Sequence, residues 1–381
     1  MRDVIVLGVG QTLFGKNPQF TAVSLGIQAA KAAMADSGVD PRDIQVAYGS
    51  RGFGGETTAQ AVLKGVGVSG IEMVNVENAC ASGSTAVHML WKDIASGAYD
   101  LGIAVGAESL TTSPRAGKLL APLDDLNASL GVTMPSHFAL LARRMMETEG
   151  WTIEDMVYPS VKNHRHACLN PFAQYRKELT AEEIINSPMI SDPITLLQCC
   201  SFSTDGSAAV VMCSEEVARR YTTKMVRMAS STLLSASLED SGDIIGFGIL
   251  RTLAERAYER ASVSPEDINL VELHDAFSPE ELWSYEMLML CPAGEGISRM
   301  RAGEFEIGGR VPVNPSGGLL SLGHPIAASG VRAVCEVALH LRGDAGLRQT
   351  PNAKAGMTEM LGGYVSGLGP PVVGGIQILT A

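Results

Sequence analysis

One stretch of this chain occurs twice, and any fold it adopts must house both copies. Residues 29–46 read AAKAAMADSGVDPRDIQV and residues 253–270 read LAERAYERASVSPEDINL, matching without a gap at an offset of 224 positions. Each copy combines an amphipathic helical pattern, a V-x-P-x-D-I turn and an apolar strand. Pro41 coincides with Pro265, Asp43 with Asp267, and Ile44 with Ile268. Self-similarity of this kind points to a duplicated α/β unit.

A second pair supports the first. A strand at about 72–76 leads into CASGSTAVHMLWKDIASG, a helix pattern starting just past Cys80; GHPIAASGVRAVCEVALHL starts a helix just past His324. Both carry Ser-Gly in the first turn, Ser82-Gly83 and Ser329-Gly330. The apolar run 101–109 completes βαβ order and predicts a mostly parallel sheet. The sequence divides into a first half at 1–113 plus 195–222, a second half at 223–381, and an inserted lid or loop region at 114–194. Duplicated halves about a pseudo-twofold axis would bring two buried helix N-termini together at the centre.

Composition excludes several classes. With 41 acidic against 29 basic residues and no basic stripe, the chain is not read as a nucleic-acid binder. Seven cysteines, an odd number without C-x-x-C, read as reduced thiols rather than disulfides. MRDVIVLGVGQT reads as a strand and turn without a leader pattern, and no apolar stretch is long enough to span a bilayer. The expectation is a cytoplasmic protein with no membrane association and no resident metal.

Four segments carry candidate chemistry. In ENACASG (77–83), Cys80 sits at a strand-to-helix elbow, where unpaired N–H groups and the helix dipole favour a thiolate. In NPSGGLLSLGHPIAASG (314–330), His324 precedes Pro325 at a helix start, placed to act as general base toward Cys80. VELHDAFSPEE (271–281) puts His274 and Asp275 at a strand end; His274 reads as a site residue and Asp275 as the cap of the next helix. TEMLGGYVSGLG (358–369) offers backbone N–H groups to an oxyanion. Lys162, Arg165 and His166 form a small basic cluster, read either as phosphate contacts or as solvated surface.

Taken in order, these segments resemble the thiolase superfamily over nearly the whole chain. ENACASG is similar to its nucleophile motif, HDAF stands where the family has N-E-A-F, and GGLLSLGHPIAASG is similar to its G-H-P motif. Resemblance is closer to sterol-carrier-protein-x-type and archaeal thiolases, through VIVLGVGQT, HFALLARRMMETEG, KNHRHACLNPFAQY and DPITLLQCCSFSTDGSAAVV. It implies a five-layered α-β-α-β-α body of two βαβ halves, an acyl group carried on Cys80, and activation by His324. With His274, His324 would stabilise an enolate or oxyanion, and the N–H groups of Cys80 and Gly362 would form a second oxyanion hole. It further implies coenzyme A as co-substrate without a permanently bound cofactor, a homodimer, and a small zinc-ribbon/OB-fold protein as candidate partner.

One departure bears on mechanism. Where many thiolases place a second cysteine this chain has Met360, and the sterol-carrier branch's alternative position is Ala276. Neither side chain moves protons, so the resemblance leaves three readings: the two histidines do so, a residue of the inserted region such as His137 does so, or the reaction needs no such base. The expected activity is thiolytic cleavage of a 3-oxoacyl-CoA, bulky or aromatic in its acyl part. The alternatives are a condensing or C-acylating transferase and a non-catalytic acyl-CoA- or lipid-binding subunit; a retro-aldolase fits less well, since it does not need the retained nucleophile.

Overall fold

Apolar β-branched runs alternating with small-residue helices form one mixed α/β body. The computed structural model describes residues 1–53, 55–113, 131, 133–201, 203–222, 224–237, 248–364 and 371–381. The first half contains β1 (Val4–Gln11), α1 (Ala22–Ser37), β2 (Val46–Ser50), α2 (Thr58–Lys64), β3 (Glu72–Val76), α3 (Ser82–Ser96), β4 (Leu101–Ser109) and, after the inserted region, β5 (Asp205–Ser214). The second contains β6 (Val226–Ser235), α6 (Gly248–Ala261), β7 (Leu270–Glu272), α7 (Ser278–Met287), α8 (Ile326–Arg342), β8 (Ala355–Tyr364) and β9 (Pro371–Thr380). Between them α4 (Met134–Glu149) and α5 (Ile153–Ala167) belong to the inserted region.

The strand order is β3-β2-β4-β5-β1-β6-β9-β8-β7. Read outward from the β1–β6 junction, both halves follow one plan: β1-β5-β4-β2 is matched by β6-β9-β8-β7, with the same parallel and antiparallel senses. The repeated turns lie at Pro41–Asp43 and Pro265–Asp267, each a single 3-10 turn. The expected mostly parallel sheet is not what forms. Among the described residues only β2–β3, β2–β4 and β7–β8 pair in parallel, because β5 comes back against β4 after the inserted region and β9, which starts seven residues after β8 ends, runs antiparallel to it.

α1 and α2 cover one outer face and α6 the other, while α3 and α8 lie between the two half-sheets. This is the five-layered arrangement. The central helices approach closely because each presents a glycine at the crossing. A Cβ on Gly83 would lie 2.7 Å from the Val331 nitrogen, and one on Gly330 would lie 2.3 Å from the Ser84 nitrogen. The two Ser-Gly pairs of the sequence therefore mark this crossing. α5 does not behave as a lid: Met156, Val157, Lys162 and Asn163 are fully buried, and Phe138 of α4 stacks on Phe277 with ring centroids 4.2 Å apart. Their apolar faces belong to the second half's core. Residues 114–130 and 132 of the expected lid, and 365–369 of the glycine-rich segment, lie outside the described residues.

Candidate active site

The elbow that carries Cys80 is built from local hydrogen bonds. Ala79 takes a left-handed φ of +48°, which turns the chain sharply out of β3. Ser82 Oγ accepts from the Asn78 N–H at 2.8 Å and donates to the Ala79 carbonyl at 2.6 Å, closing the turn. α3 begins two residues after Cys80 without a side-chain cap, so its first N–H groups stay directed toward the elbow. Cys80 is 7% exposed, and His274 and His324 are 4% and 0% exposed.

Ligand-capable atoms of Cys80, His274 and His324 all lie within 4.8 Å of one another. The imidazole centroids are 5.4 Å apart in an edge-to-face pair. Each ring is fixed through Nδ1: His274 donates to Glu280 Oε1 at 2.8 Å, and His324 pairs with Ser329 Oγ at 2.8 Å. The Ser329 hydroxyl donates to the Pro325 carbonyl, so the His324 Nδ1 is the donor toward it and Nε2 keeps its lone pair. These are two different protonation environments. Burial disfavours a cation at His274, but the adjacent Glu280 carboxylate outweighs it and holds the imidazole well above the usual range. Burial, the charge of His274 and Arg332 hold His324 well below it. The two imidazoles are thus driven in opposite directions, His274 toward the cation and His324 toward the neutral ring. The same Cys-His-His set has the donors for a soft metal ion, with Glu280 and Ser329 orienting the rings from outside.

The other expected residues are placed as follows. Gly362 is buried against the elbow: a Cβ there would lie 2.4 Å from the Asn78 carbonyl oxygen and 2.7 Å from the Ala81 nitrogen. Met360 packs with Ala81, Ala333 and Val373 in an apolar cluster and is 1% exposed, which gives it a packing role. His137 lies in the first turn of α4, outside the group of three, with burial pushing it down to about 4. Two readings need correction. Lys162 is 0% exposed and pairs with Glu281 at 3.0 Å, so it faces neither solvent nor a phosphate. His166 is buried against the Asn314 carbonyl, and Arg165 is paired with Glu306. Asp275 does not cap α7, whose N-cap is Phe277; its carboxylate accepts from Leu319 N at 2.6 Å instead. Glu280, which orients His274, was visible only as an acidic residue in the first turn of α7.

A cavity of about 460 Å³ is lined by Leu179, Ile190, Leu196, Leu320, Cys199, Cys200 and Ser201. Two of these residues also brace the site. Cys200 donates its N–H to Ala276 O at 2.8 Å, and Ser201 O accepts from His324 N at 3.2 Å.

Residues 4–216 match the family described as thiolase, N-terminal domain. The chain belongs to the thiolase family. Residues 231–370 match the family described as thiolase C-terminal domain-like. This thiolase is 39% identical over 368 residues to the benzoylsuccinyl-CoA thiolase subunit BbsB of Thauera aromatica, covering 95% of each chain. It is 38% identical over 372 residues to an acetyl-CoA acetyltransferase of Methanothermobacter thermautotrophicus, covering 95% of this chain and 97% of that one. The solved Ltp2-ChsH2(DUF35) aldolase superposes with a TM-score of 0.84 at 25% identity, covering 100% of this chain and 98% of that one. As a thiolase the chain is an acyltransferase. No helix among the described residues is long and apolar enough to cross a membrane.

Proposed function

We propose that this thiolase cleaves a 3-oxoacyl-CoA by thiolysis through an acyl group carried on Cys80. The convergence of Cys80, His274 and His324 within 4.8 Å carries this reading. His324 Nε2 takes the thiol proton as the sulfur attacks the 3-keto carbon. The developing oxyanion is received by the N–H groups of Cys80 and Gly362. The C2–C3 bond breaks, its electron pair forms the enolate of the departing acyl-CoA under the His274 imidazolium, and a histidine proton completes acetyl-CoA or a homologue. A second CoA thiol, giving its proton to His324, then attacks the acyl-Cys80 thioester, and the shortened acyl-CoA leaves as the Cys80 sulfur takes that proton back. With Met360 and Ala276 unable to move protons, these transfers fall to the histidines. The apolar cavity lined in part by Cys200 and Ser201 supports a bulky or aromatic acyl part, as does likeness to a benzoylsuccinyl-CoA thiolase subunit.

Assembly follows the same lines. The word subunit in one relative's name and the DUF35 protein in the solved relative support a small partner protein that completes the acyl-CoA site. The edge strand β3, hydrogen-bonded on one side only, supports a homodimer. The test is mass spectrometry after brief exposure to a 3-oxoacyl-CoA, with and without CoA. The expected result is an acyl mass gain on the Cys80 peptide that CoA discharges and that Cys80→Ala abolishes. Acylation elsewhere, or none while turnover proceeds, overturns the assignment. Acyl-Cys80 that CoA cannot discharge but a carbon acceptor can would make the chain a condensing enzyme.

A further inference from the structure

Beneath the two histidines lies a buried ionic cluster that the mechanism above does not use. Asp275 follows His274 in the chain and is 0% exposed. Its Oδ1 accepts from Leu319 N at 2.6 Å, and its Oδ2 accepts from Leu320 N at 3.3 Å and from Asn163 Nδ2 at 2.8 Å. Leu319 and Leu320 belong to the turn Gly318–Leu322, which runs directly into Gly323 and His324. One carboxylate is thus attached to the chain at one histidine and hydrogen-bonded to the turn that delivers the other. Glycine permits the contact: Gly317 and Gly318 have φ of +101° and +59°, and a Cβ on Gly318 would fall 2.1 Å from Asp275 Oδ2.

The cluster extends into the inserted region. Asn163 Nδ2 also donates to Glu281 Oε2 at 2.8 Å, and Lys162 Nζ lies 3.0 Å from Glu281 Oε1, 2.7 Å from Asn163 Oδ1 and 2.5 Å from the Val313 carbonyl. Asn314 donates to Glu281 at 3.0 Å while accepting from Leu273 N at 2.9 Å. Taking two carboxyl groups and an ammonium out of water is a poor way to gain stability, since packed apolar side chains would serve as well, and burial with the neighbouring Glu281 pushes the Asp275 carboxyl well above its usual range. What such a cluster provides is a fixed acceptor for the N–H groups of the turn.

We propose that Asp275 is the positioning residue of this site, setting the separation of His274 and His324, itself held by Asn163, which the Lys162–Glu281 pair anchors. This rests on the same three-residue site as the thiolysis reading. Asp275→Asn keeps shape and volume but puts an N–H donor among donors. Iodoacetamide alkylation of Cys80, followed against pH, falls about 100-fold at neutral pH with a displaced profile, the scale of a misplacement of about 1 Å. Turnover falls by a similar factor while KM stays within about threefold. Asn163→Ala cuts the tie to Lys162 but leaves the carboxylate; it gives a smaller loss in the same direction and serves if Asp275→Asn does not fold. A folded variant with the wild-type alkylation profile overturns the proposal. Alkylation needs no acyl-CoA, so this outcome is read even where the wild type proves unable to thiolyse. Reactive Cys80 without thiolysis refutes the functional reading alone.

Discussion

Glu359 shows how strongly the site constrains single groups. Its carboxyl is fully buried in β8 and accepts the His274 N–H at 3.0 Å. Burial raises it to about 8, and the nearby His274 charge only partly opposes this. The acid is therefore neutral in the folded protein at pH 7 but ionised once unfolded. A folded value above the unfolded one means that the native state binds the extra proton. Its contribution is complete below about 4.5 and is lost as pH rises through about 8. Glu359→Gln mimics the neutral acid and keeps an acceptor for His274. Melting temperatures of wild type and Glu359→Gln should diverge as pH rises from about 5 to about 8.5, wild type losing a few kcal/mol relative to the variant. Parallel curves over that range would show that Glu359 is ionised in the fold.

Among elements, the crossing of α3 and α8 determines whether the sulfur and the imidazole meet, because each helix begins just after its reactive residue. The three atoms nearest the missing Cβ of Gly330 are all backbone, so the contact cannot be relieved by a rotamer change. Gly330→Ala should cost about 1–3 kcal/mol, lower the melting temperature by several degrees, and reduce Cys80 alkylation as the helix starts move apart. Unchanged melting and alkylation would mean that the helices can slide. The sequence made this crossing legible because Ser82-Gly83 and Ser329-Gly330 occupy equivalent places in repeated units, and local spacing survives folding. Asp275 was not legible. A carboxylate just before a helix satisfies the capping rule, and only tertiary structure shows that two N–H groups from a distant turn reach it first. Lys162 was misread from composition, though a signal was present. It shares a helical face with Pro159, three residues earlier, and His166, four residues later, and that face is the buried one.

At the scale of the whole molecule, the duplication is incomplete, and the missing piece falls at an edge. In the second half no strand corresponds to β3 among the described residues; the chain at 312–314 lies beside β7, with Val271 N bonded to Pro312 O at 2.9 Å and Asn314 N to Val271 O at 2.8 Å. That edge is closed. In the first half β3 pairs with β2 alone among the described residues, and Val74 at its centre is 37% exposed. Open edges invite another strand, and natural chains that do not use them usually blunt them with charge, proline or a bulge. β3 shows none of these at Met73, Val74 or Asn75. The proposed homodimer fills this vacancy with the same strand of a second copy, as a twofold axis requires of a self-complementary patch. Cys80 lies at the end of the elbow that leaves β3, so strand pairing would also brace the turn that aims the sulfur. Val74→Lys should shift sedimentation from twice the 40.1 kDa chain mass toward the single chain and slow Cys80 alkylation in parallel. A Val74→Lys protein that stays dimeric would place the interface elsewhere, and a wild-type chain that sediments alone would remove the proposed dimer.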